Sequence, residues 1–388
     1  MPMNKANINK ILAVVASGFP GGQKILLAST MFYLFGAEYV GEYSVLIAMP
    51  TIISMFTAIG LGAKLMVVIP GSDIKQRRFN SMMMAGLLYV IASISFLIVI
   101  SVIVKIDLSL LSLSAYLLYL TMYQLFRHYY MAEKRYYEVL FLDFFITAIS
   151  IGSLFFLFNV EEYVLYSSVL SIFFIVLLYF TYCRDYSFNG EYFLEAQSLQ
   201  FSLNTGLSGG VSAFFPIVIN SLFGASTTGG VVMALTYFAP LQLLSRSYMN
   251  YVMPDLVKIN NKLALSVDVL SSVRNSYFKI IGGVIVVSIF LPLIYFYCIP
   301  QYESIGVIYA VLIFSLSGSL GVVEGAFLFV VSRQIVNIYS NVLYVFLFTL
   351  VCAFSHFFAI ELVCFLILSS IASFLRWPYL NYYVRKSI

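Results

Sequence analysis

Charged residues are scarce in this chain of 388 residues. Asp, Glu, Lys and Arg make up only 10% of it, and apolar residues make up 62%. A soluble globular protein carries about 25% charged residues. The composition therefore excludes a soluble globular protein and predicts that most of the chain lies in a membrane. The net charge of +4 bears on membrane orientation and gives no indication of nucleic-acid binding.

Residues that bind metals or perform catalysis are also few. The chain has two histidines and four cysteines. Cys183, Cys298, Cys352 and Cys364 lie on or beside apolar runs without metal-ligand spacing, so we interpret them as small buried hydrophobic residues. The sequence contains no Walker loop, no GxSxG elbow and no HExxH or CxxC pair. We therefore expect neither a metal site nor an enzyme, and no cofactor.

Apolar runs of about 20 residues, the length that crosses a bilayer, recur along the chain. They lack the alternating pattern of an outer-membrane barrel. We predict an all-α membrane protein with about twelve transmembrane helices. The predicted spans are residues 11–35, 42–69, 80–104, 108–127, 136–158, 163–183, 199–224, 231–253, 276–298, 304–330, 335–355 and 359–380. Residues 254–275 are predicted to form either a helix lying flat at the inner interface or a short solvated helix-turn.

Basic residues are distributed unevenly between the predicted loops. If the amino terminus lies in the cytoplasm, nearly all loop lysines and arginines lie inside, and the outer loops hold Lys105 alone. Acids such as Glu38 and Glu161 accompany it outside. This positive-inside pattern predicts an even number of spans and cytoplasmic termini.

An internal repeat divides the chain. Shifting the sequence by about 188 residues places residues 34–37 on residues 222–225, with the identical tetrapeptide LFGA. Gly21 and Gly22 fall on Gly209 and Gly210. We therefore predict two six-helix lobes, residues 1–190 and 191–388, in the same orientation, as in two-lobed transporters with a parallel repeat.

Two basic residues lie within predicted spans. Lys24 lies near the middle of the first span, and Arg246 lies in the inner half of the eighth. A charge at the bilayer centre costs about 3 kcal/mol on insertion scales, so such residues commonly mark a substrate path. Both are candidates for binding an anionic substrate. The alternative is that each pairs with an intramembrane acid.

Two acidic residues also lie within predicted spans. Glu324 lies in a segment rich in serine and glycine, which permits close helix approach or a local break. It is a candidate for coupling transport to H+ or Na+, and the alternative is a salt bridge to Arg246 or another cation. Asp143 is a second coupling candidate, for which we favour a structural ion pair. Lys64 and Arg127 lie near inner helix ends; we favour orientation anchors that reach the interface over ligands.

The first hairpin resembles that of a known family. A glycine-rich first helix carrying Gln23 and Lys24 is followed by LFGAEYVGEYSVLIAMP and a second span ending near Gly62. This pattern resembles the O-antigen unit flippases (Wzx type) of the multidrug/oligosaccharidyl-lipid/polysaccharide flippase superfamily. The resemblance covers the whole chain in size, span number and compact loops.

The resemblance implies a V-shaped pair of lobes in the bacterial inner membrane. The lobes would move a polyprenyl-diphosphate-linked oligosaccharide from the inner to the outer leaflet. Related flippases place basic residues on the first and eighth helices, where Lys24 and Arg246 lie here. Gln23, Arg127 and Lys64 are further candidate substrate contacts. The implied partners are the lipid-linked substrate and membrane lipid, with an O-antigen polymerase and a chain-length regulator as additional candidates.

The sequence leaves two other functions open. One is a membrane polysaccharide polymerase or glycosyltransferase, which would typically need a larger outer loop than any predicted here. The other is a cation-coupled multidrug exporter of the same superfamily. That exporter would favour an acidic cavity, whereas Lys24 and Arg246 favour an anionic ligand.

Overall fold

Helices account for nearly all of the described chain. The computed structural model describes residues 5–69, 72–104, 109–182, 196–261, 266–298, 304–331 and 333–387. Across these ranges the backbone forms helices joined by turns and short connections, with no strand. The prediction of an all-α membrane protein is confirmed.

The first part of the chain forms seven α-helices. The second and third are joined by a π-helical turn, Met55–Ile59. The helices are α1 (Lys5–Phe35), α2 (Ala37–Ser54), α3 (Gly60–Val68), α4 (Lys75–Val104), α5 (Leu110–Ala132), α6 (Tyr136–Leu154) and α7 (Val160–Tyr182).

The second part forms eight further helices, two pairs of which divide one predicted span each. These helices are α8 (Ala196–Phe223), α9 (Ala225–Asn261), α10 (Val267–Cys298), α11 (Ile305–Ser317), α12 (Val322–Val330), α13 (Gln334–Phe358), α14 (Leu362–Phe374) and α15 (Arg376–Ser387). Each of the twelve predicted spans coincides with one helix or with two consecutive helices. Within the described ranges, nine helical segments are long and apolar enough to cross a membrane.

The described helical residues of the 254–275 segment belong to the two neighbouring helices. α9 continues to Asn261, and α10 begins at Val267. The predicted interfacial helix is therefore wrong, because its two ends extend the neighbouring helices. Leu256 and Leu270 are buried in the same apolar cluster, which explains why both positions in this segment are apolar.

The chain folds into two compact units. Unit 1 comprises Met1–Phe19 and Thr30–Ile217, and unit 2 comprises Pro20–Ser29 and Val218–Ile388. The boundary predicted between residues 190 and 191 lies outside the described residues, and the division there stays a prediction. In this fold, α1 and α8 each contribute residues to both units.

The two LFGA segments form the same joint. Gly36 separates α1 from α2 with φ +89°, and Gly224 separates α8 from α9 with φ +88°. The Gly36 amide donates to the Phe32 carbonyl at 2.9 Å, and the Gly224 amide donates to the Asn220 carbonyl at 3.0 Å. A positive φ favours glycine because it has no Cβ. The repeat predicted from the sequence is therefore confirmed at this joint.

α5 is central to the apolar core of unit 1. Leu117 and Leu125 are fully buried, and the Phe126 ring packs edge-on against Phe79 at 5.1 Å. In unit 2, the buried residues Phe327 on α12 and Leu380 on α15 share one cluster. Each unit therefore has its own core.

Small residues bring α3 and α8 together within unit 1. A Cβ at Gly60 would lie 2.5 Å from the Ser202 backbone Cα. A Cβ at Gly206 would lie within 2.5 Å of the Phe56 ring. Membrane helices pack closely through such small residues because lipid supplies no hydrophobic drive for helix association.

Gly60→Ala should therefore destabilise unit 1. The new methyl group would meet a backbone atom that cannot rotate away, at a cost of about 1–3 kcal/mol. Gly210→Ala is the matched control, because a Cβ there meets no atom within 4 Å. Thermal unfolding in detergent should show a lower midpoint for Gly60→Ala only; equal midpoints for the two variants would contradict the close contact.

Candidate functional site

Lys24 lies in the segment of α1 that belongs to unit 2. Its side chain is exposed, and Gln23 beside it is half-buried. Glycines at positions 21 and 22 leave the preceding turn without bulky side chains. The helix thus presents an ammonium group near the middle of an apolar span.

The same segment of α1 is joined to α9. The hydroxyl groups of Ser29 and Tyr237 form a hydrogen bond of 3.1 Å. Arg246 lies on α9, two and a half turns beyond Tyr237; its side chain falls outside the described part of the structure. Unit 2 therefore contains both the segment of α1 and the helix α9 that carry the basic residues predicted to bind substrate.

Asp143 is at the centre of a polar cluster within unit 1. The fully buried carboxylate accepts a hydrogen bond from the Tyr123 hydroxyl at 2.7 Å and another from Arg127 Nε at 3.3 Å. The Arg127 side chain is itself 10% exposed. Because a lone buried charge is very costly, the pairing between α5 and α6 stabilises both ions.

Arg127 also binds the backbone of α1. Its Nη2 donates to the carbonyl oxygen of Ala16. One guanidinium therefore connects a carboxylate on α6 with a main-chain acceptor on α1. This use of two edges of the group suits arginine, whose donors form a rigid fork.

Tyrosines continue this polar path along α5. Tyr116, Tyr119 and Tyr123 recur at intervals of three and four residues, with ring centroids 5.6 and 5.8 Å apart. Tyr43 on α2 and Tyr163 on α7 form a further ring contact at 5.8 Å. A helix surface with this spacing presents one continuous face.

The structure places Lys64 and Arg127 inside the bundle. Lys64 is 2% exposed and Arg127 is 8% exposed. The expectation that they extend to the inner interface is therefore wrong. For Arg127 the physical reason is the ion pair with Asp143, which holds the charge in the protein interior.

Glu324 is at the centre of a second polar cluster, within unit 2. Its carboxylate is 2% exposed and accepts a hydrogen bond from Trp377 Nε1 at 3.1 Å. Arg274 Nη1 lies 4.0 Å from the same oxygen and donates to Asn381 Oδ1 at 3.0 Å. The cluster joins α10, α12 and α15.

The helix carrying Glu324 begins at a break in the tenth predicted span. α11 ends at Ser317, α12 begins at Val322, and Gly321 between them has φ +82°. Glu324 lies in the first turn of α12, where unpaired amides and the helix dipole stabilise negative charge. The serine- and glycine-rich segment thus forms the break that the sequence permitted.

Amide side chains extend the polar core of unit 2 along α13. Asn337 Nδ2 donates to the Gly325 carbonyl at 2.9 Å, and Asn341 Oδ1 accepts from Arg376 Nη1 at 2.9 Å. Both asparagines are buried. They bind α12 and α15 to α13 around the Glu324 cluster.

Five of the seven predicted site residues thus occupy three places. Lys24 and Gln23 lie on α1 in unit 2, Arg127 and Asp143 form one cluster in unit 1, and Glu324 belongs to another cluster in unit 2. Sequence reasoning missed the partners of the two acids. Those partners lie on other helices, and Trp377 is 53 residues from Glu324. The single tryptophan was the main available signal, since its indole N–H needs an acceptor when buried. Within the described ranges, no three His, Cys, Asp or Glu residues form a metal-binding group.

Trp377→Phe should destabilise unit 2. The variant keeps an aromatic ring against Phe278 but removes the N–H donor to Glu324, at a cost of about 1–3 kcal/mol. Glu324→Met supplies the control background, because no carboxylate then needs the donor. In a double-mutant cycle measured by thermal unfolding, the effects of the two substitutions on stability should therefore be non-additive. Additive effects would contradict the hydrogen bond.

No protein-family model matches the sequence, and no curated protein sequence matches it.

Solved structures share its fold. The chain is similar to the MATE multidrug transporter DinF-BH, with TM-score 0.66 and 14% identity over 98% of this chain and 94% of that one. It is similar to the eukaryotic MATE transporter AtDTX14, with TM-score 0.62 and 13% identity over 98% of each chain.

A third similar structure is a MOP superfamily transporter from Pyrococcus furiosus. Its TM-score is 0.55, with 12% identity over 100% of this chain and 98% of that one. Its published description reports a binding pocket of reverse polarity that suggests a different function. At these identities the likeness establishes the fold, which is that of MATE and MOP superfamily transporters.

Proposed function

We propose that this protein is a flippase of the bacterial inner membrane. It moves a polyprenyl-diphosphate-linked oligosaccharide, an O-antigen repeat unit, from the inner to the outer leaflet by alternating access. The observation that carries the proposal is the exposed Lys24 in the middle of an apolar helix of a transporter fold.

The chemistry of this substrate explains the need for fixed cations. Its diphosphate carries about two negative charges, and isolated ions cost tens of kcal/mol in an apolar medium by Born solvation. Its sugars need hydrogen-bond partners, whereas its lipid tail can stay in the bilayer. An ammonium group attracts phosphate as a point charge, and a guanidinium can bind two phosphate oxygens at once.

The placement of Lys24 and Arg246 suits one diphosphate. In the predicted topology α1 and α9 are antiparallel, so both residues lie on the inner side of the Ser29–Tyr237 hydrogen bond. At 1.5 Å per residue, Lys24 lies about 7.5 Å and Arg246 about 13.5 Å from that bond along the helix axes. The two positions therefore differ in depth by about 6 Å, which the length of the two side chains can span.

Pocket polarity varies within this fold. The Pyrococcus furiosus transporter is described as having a pocket of reverse polarity and a different function. That description indicates that the fold does not fix the polarity of the pocket, so a basic site for an anionic substrate is compatible with the same framework. Here the basic residue is present in one half only, because the repeat places Ser212 at the position equivalent to Lys24.

We propose Glu324 as the residue that couples transport to an ion. Its carboxylate is held by a neutral indole and lies 4.0 Å from Arg274, so one proton or cation would change the charge of the whole cluster. The nearby break between α11 and α12 is of the kind at which transporters place ion sites. Asp143, whose two oxygens are both hydrogen-bonded, is the weaker candidate.

Multidrug export is the second candidate function. The observation that favours it is the likeness to structures described as MATE multidrug transporters. A cationic drug would need an accessible acid. The two intramembrane acids, Asp143 and Glu324, are instead 0% and 2% exposed and already paired.

Lys24→Ala should reduce flipping by about 10- to 100-fold, because it removes a charge-assisted contact to phosphate. Lys24→Arg keeps the charge and should retain part of the activity. The measurement is leaflet-specific labelling of a polyprenyl-diphosphate oligosaccharide in reconstituted vesicles.

Lys386→Ala, at an exposed position on α15, is the control for loss of a lysine charge. It should flip the substrate at the normal rate. Normal flipping by correctly inserted Lys24→Ala protein would remove Lys24 from the mechanism. Export of a cationic dye without flipping of the lipid-linked substrate would favour the multidrug function.

Collapse of the proton gradient should slow flipping by the wild-type protein. The Glu324→Gln variant should flip at the same rate with and without the gradient, because its side chain cannot gain or lose the proton. Glu361→Gln is the matched control, because Glu361 is exposed at the start of α14, and it should keep the gradient response. A wild-type rate that does not respond to proton or sodium gradients in vesicles would exclude the coupling role.

A further inference from the structure

Pro20 leaves one carbonyl of α1 without its helical donor. In an α-helix the amide of residue 20 donates to the carbonyl of residue 16, and proline has no amide hydrogen. α1 nevertheless continues through Pro20 from Lys5 to Phe35. Ala16 is fully buried. Its carbonyl therefore needs a donor from another part of the protein, because an unsatisfied buried acceptor is costly.

Arg127 is that donor. Its Nη2 binds the Ala16 carbonyl, while its Nε binds Asp143 at 3.3 Å. Asp143 is in turn held by Tyr123, at 2.7 Å. The ion pair therefore orients the guanidinium so that a second edge faces the carbonyl that Pro20 releases.

The contact lies where α1 passes from one unit to the other. Ala16 and Arg127 belong to unit 1, and unit 2 begins in α1 at Pro20. Lys24 follows one turn after Pro20. A donor fixed to α5 thus replaces the missing helical bond immediately before the segment that carries Lys24.

We propose that Arg127 is a positioning residue that substitutes for the missing amide of Pro20 and so holds the course of α1 ahead of Lys24. Arg127 does not itself contact substrate in this proposal. Its buried guanidinium already serves a carboxylate and a carbonyl, so binding a phosphate would require both contacts to open. The effect on transport rests on the proposed function, whereas the effect on α1 does not.

A double-mutant cycle between Pro20 and Arg127 tests the proposal. Pro20→Ala restores the amide donor to the Ala16 carbonyl. Arg127→Lys keeps the charge that pairs with Asp143 but loses the fork that serves two acceptors. The measurement is amide hydrogen exchange across residues 12–24 in the full-length protein.

Arg127→Lys should speed exchange in this segment by about 10- to 100-fold, as expected for one lost hydrogen bond from a charged donor. In the Pro20→Ala background the same substitution should have less than about a threefold effect. Pro216→Ala, which removes the proline inside α8, is the control and should give no such rescue. Equal effects of Arg127→Lys in the wild-type and Pro20→Ala backgrounds would overturn the proposal, as would unchanged exchange in Arg127→Lys alone.

If Arg127→Lys does not fold, Asp143→Asn replaces it in the cycle, because it removes the charge that orients the guanidinium. Equal effects of Asp143→Asn in the wild-type and Pro20→Ala backgrounds, or unchanged exchange in Asp143→Asn alone, would then overturn the proposal. Flipping in vesicles is the second readout. Loss of flipping in Arg127→Lys with recovery in the double variant would support the link to Lys24. A wild-type protein that does not flip the substrate would overturn the proposed function, while the exchange cycle would still decide the role of Arg127.

Discussion

A charge inside an apolar helix bundle needs a partner within that bundle, and this constraint organises the interior of the protein. Asp143 and Arg127 meet it in unit 1, with a tyrosine and a backbone carbonyl completing their hydrogen bonds. Glu324 meets it in unit 2 through an indole and a more distant guanidinium. The side chain of Lys24 is exposed, whereas those of Asp143 and Glu324 are buried, and this exposure makes Lys24 the candidate for contact with a substrate.

Irregular backbone accompanies each polar cluster. Pro20 interrupts the bonding of α1 beside Arg127, and the break between α11 and α12 precedes Glu324. Backbone groups without a helical partner are tolerated in a membrane only where protein or water supplies one. The buried side chains of both units therefore stabilise the helix irregularities as well as each other. Such irregularities allow helices to bend without breaking the core around them.

Much of the fold could be predicted because hydropathy and glycine act locally. Twelve apolar runs coincide with helices, and the LFGA repeat predicts the joints at Gly36 and Gly224. The site could be predicted only in part. Lys24 stands out because it is a charge in an apolar run. The contacts of Arg127 do not follow from local pattern, because they depend on how α5 packs against α6, the next helix, and against α1, which is 111 residues away. The length of α9 was missed because its polar inner end resembles an interfacial segment.

The twin joints have an evolutionary consequence. Two glycines separated by 188 positions have nearly the same φ, which indicates that the two joints derive from one duplicated hairpin. After duplication the joints were constrained by stereochemistry, since few residues other than glycine tolerate their conformation. The side chains between them were free to diverge, and one copy now carries Lys24 where the other carries Ser212. A repeated frame thus carries an asymmetric interior, with a basic side chain at only one of two equivalent positions.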